Sequence, residues 1–397
     1  MKMIKMMCTS HLFVVVVLLL SITGCMPEVS EQKGLEPVFF PPPPNQPRLQ
    51  FLTSYSGEEV TSAVKQSFLE AYVLGDTSNA LKGSIVQPYG LAIYQGKIYV
   101  CDVAQNNIKV IDIANHTFTI FPGGRSLLSP INIFIEPDGT KYIADSKGGC
   151  VLVYDANDKL VGFLGKQLRI KPVDLVVEEK LYLTDANNNQ VFVLDKRSGE
   201  LLQTLGKSMT AGEEGGPDEF AMISGLAIDS ERNLYVTDKL KGLVTKFAPD
   251  GAVLRTYSRP GSLPDCLVRG KGLKLDREKR LWVVDAGPAM AVKVYRNSDG
   301  RFLMIFGLSG TGPGQMYMPA SIAIDYDNID LFKQYAVEGA KIECLILVTN
   351  QYGPNKVSVY GFGTFPEKYS MQGVVREQDV KENDASKDGA QESLPRQ

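Results

Sequence analysis

Histidine is nearly absent from this 397-residue chain, which has two, and one of them lies in the apolar N-terminal stretch. The other, His116, cannot build a multi-histidine zinc or copper site, and no Cys-x-x-Cys-His haem attachment is present, so neither haem nor another cofactor is expected. An excess of either charge is also missing. Lys and Arg number 42 against 45 Asp and Glu, which gives no electrostatic basis for binding nucleic acid. No apolar run is long enough to span a bilayer comfortably, because Leu12 to Leu20 has only the length of a signal-peptide core. The cysteines Cys101, Cys150, Cys266 and Cys344 are scattered without metal-type spacing and are expected as buried free thiols.

What is present begins at the N-terminus. Lys2 and Lys5 precede the apolar run, and Ile22-Thr23-Gly24-Cys25 follows it. Small residues before a cysteine at this distance look like the lipobox of bacterial lipoproteins. Residues 1–24 are therefore expected to be removed and Cys25 to be lipidated, and two or three acyl chains at about 0.8 kcal/mol per buried methylene make an effectively permanent membrane anchor. Met26 stands where an aspartate would argue for inner-membrane retention, which favours the outer membrane with the body facing the periplasm; the inner membrane and the cell surface stay open. Residues 25–47 are polar and proline-rich, with four prolines at 41–44, and predict an extended polyproline II tether. Residues 364–397 are charged and poor in apolar side chains, and predict disorder.

Between these ends the chain repeats itself. One strand-like segment recurs around Leu91, Ile133, Leu175, Leu226, Leu273 and Ile322, and each copy is followed by a second strand ending at Asp102, Asp145, Asp185, Asp238, Asp285 or Asn350. Successive ends are 43, 40, 53, 47 and 65 residues apart, close to one four-stranded propeller blade. Third strands follow in every copy but fourth strands in only five. The segment Arg48 to Tyr55 reads as the missing strand, so residues 48–363 predict an all-β, six-bladed β-propeller closed by its N-terminal strand, which removes the exposed sheet edge that the last blade would otherwise have. Both parities along strands such as Leu181-Tyr182-Leu183 are apolar, as expected for sheets packed on two faces. Val60 to Leu74 has helical periodicity and is expected to cap one end.

Pro88-Tyr89-Gly90-Leu91-Ala92-Ile93 with Ile98-Tyr99-Val100-Cys101-Asp102, and Gly312-Pro313-Gly314-Gln315 leading to Met318-Pro319, resemble the NHL repeat. The resemblance implies the propeller fold and leaves function open, since similar propellers serve as protein-binding platforms, RNA binders, lactonases and peptide-amidating lyases. Asn132 and Asp174 depart from it by standing where glycine is expected, and residues 326–341 form an insertion.

The recurring strand-end acids lie on different blades, roughly 10 Å apart, too far to share one ion; capping of the following turn is the expected role. No catalytic set and no metal ligands are assigned. First-strand entrances approach the axis of a propeller, which makes Tyr89, Asn132, Asp174, Ser224, Lys271 and Ser321 candidate channel-mouth contacts for a ligand or partner, or plain lining. One carboxylate among six is thin for metal binding. The expected function is a membrane-anchored, non-catalytic propeller binding another envelope component, protein or glycan; the alternative is a divalent-metal lactonase or hydrolase of gluconolactonase-like type.

Overall fold

The computed structural model describes residues 36–57, 83–123, 126–213 and 215–370. Cys25, the expected leader and the expected helix at residues 60–74 lie outside them.

Each repeat folds as one antiparallel up-and-down sheet. The first blade comprises Pro88–Tyr94, Lys97–Asp102, Asn107–Asp112 and Thr117–Ile120. Blades two to five begin with Pro130–Ile135, Pro172–Val177, Ile223–Ile228 and Gly270–Leu275, and end with Leu160–Leu164, Leu201–Leu205, Val253–Tyr257 and Phe302–Phe306. Blade six contains Pro319–Asp325, Lys341–Asn350 and Val357–Thr364. First strands pack on first strands around the ring, and that of blade six packs on that of blade one, so the ring of six is closed.

Alternate residues of a strand point to opposite faces, and here each face meets another blade. Val100 packs with Leu345 and Leu347 of blade six, whereas its neighbours Tyr99 and Cys101 pack with Ile143 and Leu152 of blade two. An apolar cluster of this kind fills each of the six gaps between blades, which accounts for apolar residues at both parities.

The missing outer strand is supplied from the N-terminal side. Leu49–Tyr55 pairs antiparallel with Val357–Thr364, Leu49 opposite Phe362 and Tyr55 opposite Val357. Leu49, Leu52 and Tyr55 are buried there. At roughly 1.5–3 kcal/mol per buried large side chain, closure opposes opening of the ring as well as covering an edge.

Two expected boundaries move. The proline-rich tether does not extend to residue 47: Phe39–Phe40 adds a fifth strand to blade six, paired with Leu49 and Gln50, and Phe39 stacks on Phe365 and Tyr369 at 5.3 and 4.9 Å. The prolines fall in the turn, where a missing N–H costs nothing, and the aromatic pair beside them drives docking. The same contacts order the start of the expected tail, with Phe365 and Tyr369 buried against Phe39. In the insertion of blade six, Ile329–Tyr335 forms a 3-10 helix that buries Phe332. The four cysteines are buried and unpaired, and burial pushes the Cys344 thiol up to about 12.

Candidate functional site

The loops that lead into first strands and out of second strands meet at one end of the ring, called here the mouth face. Each second strand ends there in a buried side chain that ties two loops together. Asp238 accepts N–H bonds from Ala221 and Met222, which lead into its blade, and from Leu240 and Lys241, which leave the second strand. Asp102, Asp145, Asp185 and Asp285 do the same in their blades. Asn350 substitutes in blade six by accepting from Tyr317 and donating to the Asn355 carbonyl. These acids are caps, as their position at strand ends predicts. A backbone bond recurs beside each of them, from Val103 N–H to the Gln87 carbonyl in blade one through Gln351 N–H to Met318 in blade six. The mouth is thus a rigid rim.

Every first strand shifts its pairing near its start, and the six candidate residues occupy two successive positions of that shifted stretch. Tyr89, Ser224 and Lys271 stand two places before the equivalent residues Leu91, Leu226 and Leu273; Asn132, Asp174 and Ser321 stand one place before Ile133, Leu175 and Ile322. In blades one, four and five the second position is glycine, pressed against the next blade. A Cβ at Gly225 would lie 2.2 Å from the Lys271 carbonyl oxygen, and one at Gly90 2.3 Å from Asn132 Oδ1. In blades two and three the side chain at that position bonds across the gap: Asn132 Nδ2 donates to Asp174, and Asp174 accepts the N–H of Leu226 at 2.8 Å. Asp174 also accepts from Leu175 N–H. Its carboxylate therefore knits blades two, three and four, and burial pushes its pKa up to about 6 against the opposing effects of Lys274 and these donors.

The other register faces the mouth. Lys271 Nζ donates to Gln351 Oε1 at 2.9 Å and lies 5.7 Å from the centre of the Tyr89 ring. Lys271 is 4% exposed, and burial, then Lys239 and Arg269, pull its pKa down to about 8. Burial and Arg269 lower Lys239 as well. Ser224 instead donates to the Thr237 and Gly270 carbonyls, and Ser321 N–H is held by Thr349, so both serve the frame. Lys239, Arg269 and Gln351 lie outside the first strands, in the loops beside them. Their signal was available: Lys239 and Gln351 directly follow the strand-end residues Asp238 and Asn350, and Arg269 directly precedes a first strand.

Around this mouth the loops expose large apolar side chains: Val86, Leu128, Met222, Leu240, Val268 and the ring pair Tyr317–Tyr352. The loops of the opposite end, the far face, expose Tyr335 alone of this class among the described residues. A separate apolar cavity of about 880 Å³ lies on the outer rim between Phe302–Phe306 and the Phe39–Phe40 segment. The guanidinium groups beside it are matched by carboxylates, Arg280 with Asp276 and Glu278, Arg48 with Glu343. Among the described residues, no three His, Cys, Asp or Glu side chains are grouped to hold a metal ion.

Residues 167–272 match a family described as a 6-bladed beta-propeller. The chain is a six-bladed β-propeller. A crystal structure of a protein of unknown function from Bacteroides thetaiotaomicron is similar, at a TM-score of 0.55 and 16% identity over 70% of both chains. So is a calcium-binding protein, regucalcin, from Agrobacterium tumefaciens, at 0.51 and 12% identity over 70% of this propeller chain and 91% of that one. Mouse peptidyl-glycine alpha-amidating monooxygenase is 23% identical over 239 residues, 55% of this chain; the match spans 22% of that relative's length. At these identities the likenesses establish the fold, and the function rests on the residues of the site.

Proposed function

We propose that this propeller is a non-catalytic binding module, tethered to the outer membrane through lipidated Cys25, that holds a protein of the cell envelope against its mouth face. The observation that carries the reading is the contrast between the loops of the two ends, those of the mouth exposing a set of large apolar side chains, Leu240 62% exposed among them, around a capped rim. Aromatic and aliphatic side chains on rigid loops fit a protein surface better than a glycan of hydroxyl groups.

Lactonase chemistry through a divalent ion needs converging free carboxylates. Asp174, the one carboxylate among the six axial candidates, is occupied by three N–H donors, which favours binding over catalysis. Stoichiometric Ca²⁺, Mn²⁺ or Zn²⁺ in the purified protein would reverse that preference.

Crosslinking in intact membranes, followed by recovery of the chain and its attached protein, tests the reading. Leu240→Glu is expected to reduce the crosslinked species at least about tenfold, a change of roughly 1.4 kcal/mol, whereas Tyr335→Glu on the far face leaves it unchanged. Equal recovery from both variants contradicts the assignment of the face. Cys25→Ala is expected to move the chain from the membrane to the soluble fraction; continued sedimentation with membranes contradicts the anchor.

A further inference from the structure

Several cations elsewhere in this ring are paired with carboxylates. On the far face Lys196 meets Glu136, Arg232 meets Glu179, Lys279 meets Glu231 and Arg296 meets Asp299. At the mouth, Lys239, Arg269 and Lys271 cluster on blades four and five, and none of the three forms an ion pair with a carboxylate among the described residues. The nearby strand-end acids Asp238 and Asp285 spend their oxygens on the rim: Asp238 on four backbone N–H groups, Asp285 on backbone N–H groups and the buried Lys293. Asp174, on blade three, is likewise occupied. Gln351 engages one of the three Nζ protons of Lys271, leaving two. The Thr237 hydroxyl, buried beside Gly270, has no hydrogen-bond partner.

Three mutually repelling cations, one of them almost fully buried, are matched to a ligand that carries negative charge. The surrounding Leu240, Val268, Tyr317 and Tyr352 are matched to one that carries apolar groups beside it. A free phosphate or a sulfated glycan would use the first feature and leave the second wet.

Resting on the mouth-face reading above, we infer that the mouth takes an acidic segment of the partner protein, with one carboxylate directed to Lys271 Nζ, Arg269 and Lys239 at the rim, and flanking apolar side chains on Leu240, Val268 and Tyr352. Lys271 is the deep contact because it is the cation inside the channel. Arg269 is exposed and captures first.

The test is fluorescence anisotropy of the full-length protein in detergent with a short labelled peptide alternating Glu and Leu, against the same peptide with Gln for Glu. The Glu peptide is expected to bind at least about tenfold more tightly and to weaken as salt is added. Lys271→Met and the exposed Arg269→Gln are each expected to cost about tenfold in affinity, and Lys279→Gln on the far face nothing. Equal affinity for the two peptides, or unchanged binding by both Lys271→Met and Arg269→Gln, overturns the inference. If both peptides bind equally and Leu240→Glu abolishes both, the mouth-face reading survives and the acidic class falls. Binding that survives Leu240→Glu sinks the face assignment too. Lys271-dependent binding of tripolyphosphate without binding of the Glu peptide replaces the protein segment by a small oxyanion.

Discussion

The two ends of the ring are made by the same strands and hold opposite chemistry. At the far face the turns are closed by Asp side chains, exposed at Asp138 and Asp299 and buried at Asp229 and Asp276, and several lysines and arginines, among them Lys196, Lys279 and Arg296, lie against carboxylates in ion pairs. Surface pairs of this kind contribute little to stability, and their value is to leave a neutral, well-hydrated end. At the mouth the strand-end acids are buried caps, each tied to both neighbouring loops, and Lys239, Arg269 and Lys271 above them have no carboxylate partner among the described residues. A rim held from below by buried carboxylates can present apolar groups and free charge without collapsing. The far face also buries carboxylates in its turns, Asp229 and Asp276 among them, but each serves its own turn and the loops there do not present apolar groups in the same way.

That contrast breaks most directly at a cap. Asp238→Ala leaves the N–H groups of Ala221, Met222, Leu240 and Lys241 without their acceptor. An unsatisfied buried donor costs about 1–3 kcal/mol, so the substitution is expected to lower stability by roughly 3 kcal/mol, seen as a fall in Tm. Asp195→Ala removes the bonds to Arg197 and Ser198 from an exposed far-face turn and is expected to lower Tm far less. Similar losses from both would mean that the two ends are held alike.

A second test asks whether the mouth-side channel carries strain of its own. The carboxyl of Asp174 is raised from 3.8 to about 6, so the folded state binds its proton more readily than the unfolded chain. Its contribution therefore falls as pH rises from about 4 to about 6 and is flat above, a swing of roughly 3 kcal/mol. Asp174→Asn does not titrate. Its stability relative to the parent is expected to increase across that window in denaturant titrations at several pH values. A constant difference would place the carboxylate in ordinary solvent, as on the far face.

The frame was legible from residues because it repeats. Six apolar segments with six strand-end polar residues specified the blades, and the absent sixth outer strand pointed to Leu49–Tyr55. The docked Phe39–Phe40 strand was hidden by its prolines, whose composition suggests a spacer while the aromatic pair between them decides the outcome. At the site, first-strand position identified the axis but not the register: one place along the bulged start separates Asn132, Asp174 and Ser321, which sit at the gap between blades, from Lys271, which stays with the mouth. Lys239 and Arg269 were not legible from a first-strand search, because what joins them to Lys271 is the meeting of blades four and five.

Lys271 gives the finest test of the comparison, since a cation buried for binding should weaken the fold. Its pKa is lowered from 10.5 to about 8, first by burial and then by Lys239 and Arg269, so the folded state binds this proton less readily than the unfolded chain. The penalty is present in full below about pH 8 and fades as pH rises through 10.5, above which the lysine is neutral in both states. Lys271→Met keeps the volume and removes the charge, while losing the bond to Gln351 and the contact with the Tyr89 ring. With those losses set against the relief, the variant is expected to be more stable than the parent by about 1 kcal/mol at neutral pH, the gain shrinking above pH 8. Lys279→Gln, which removes a solvated far-face pair, is expected to leave stability near its starting value. A Met variant less stable than the parent at neutral pH would show that Lys271 holds the channel together, and would remove the trade of stability for binding that separates the mouth from the far face.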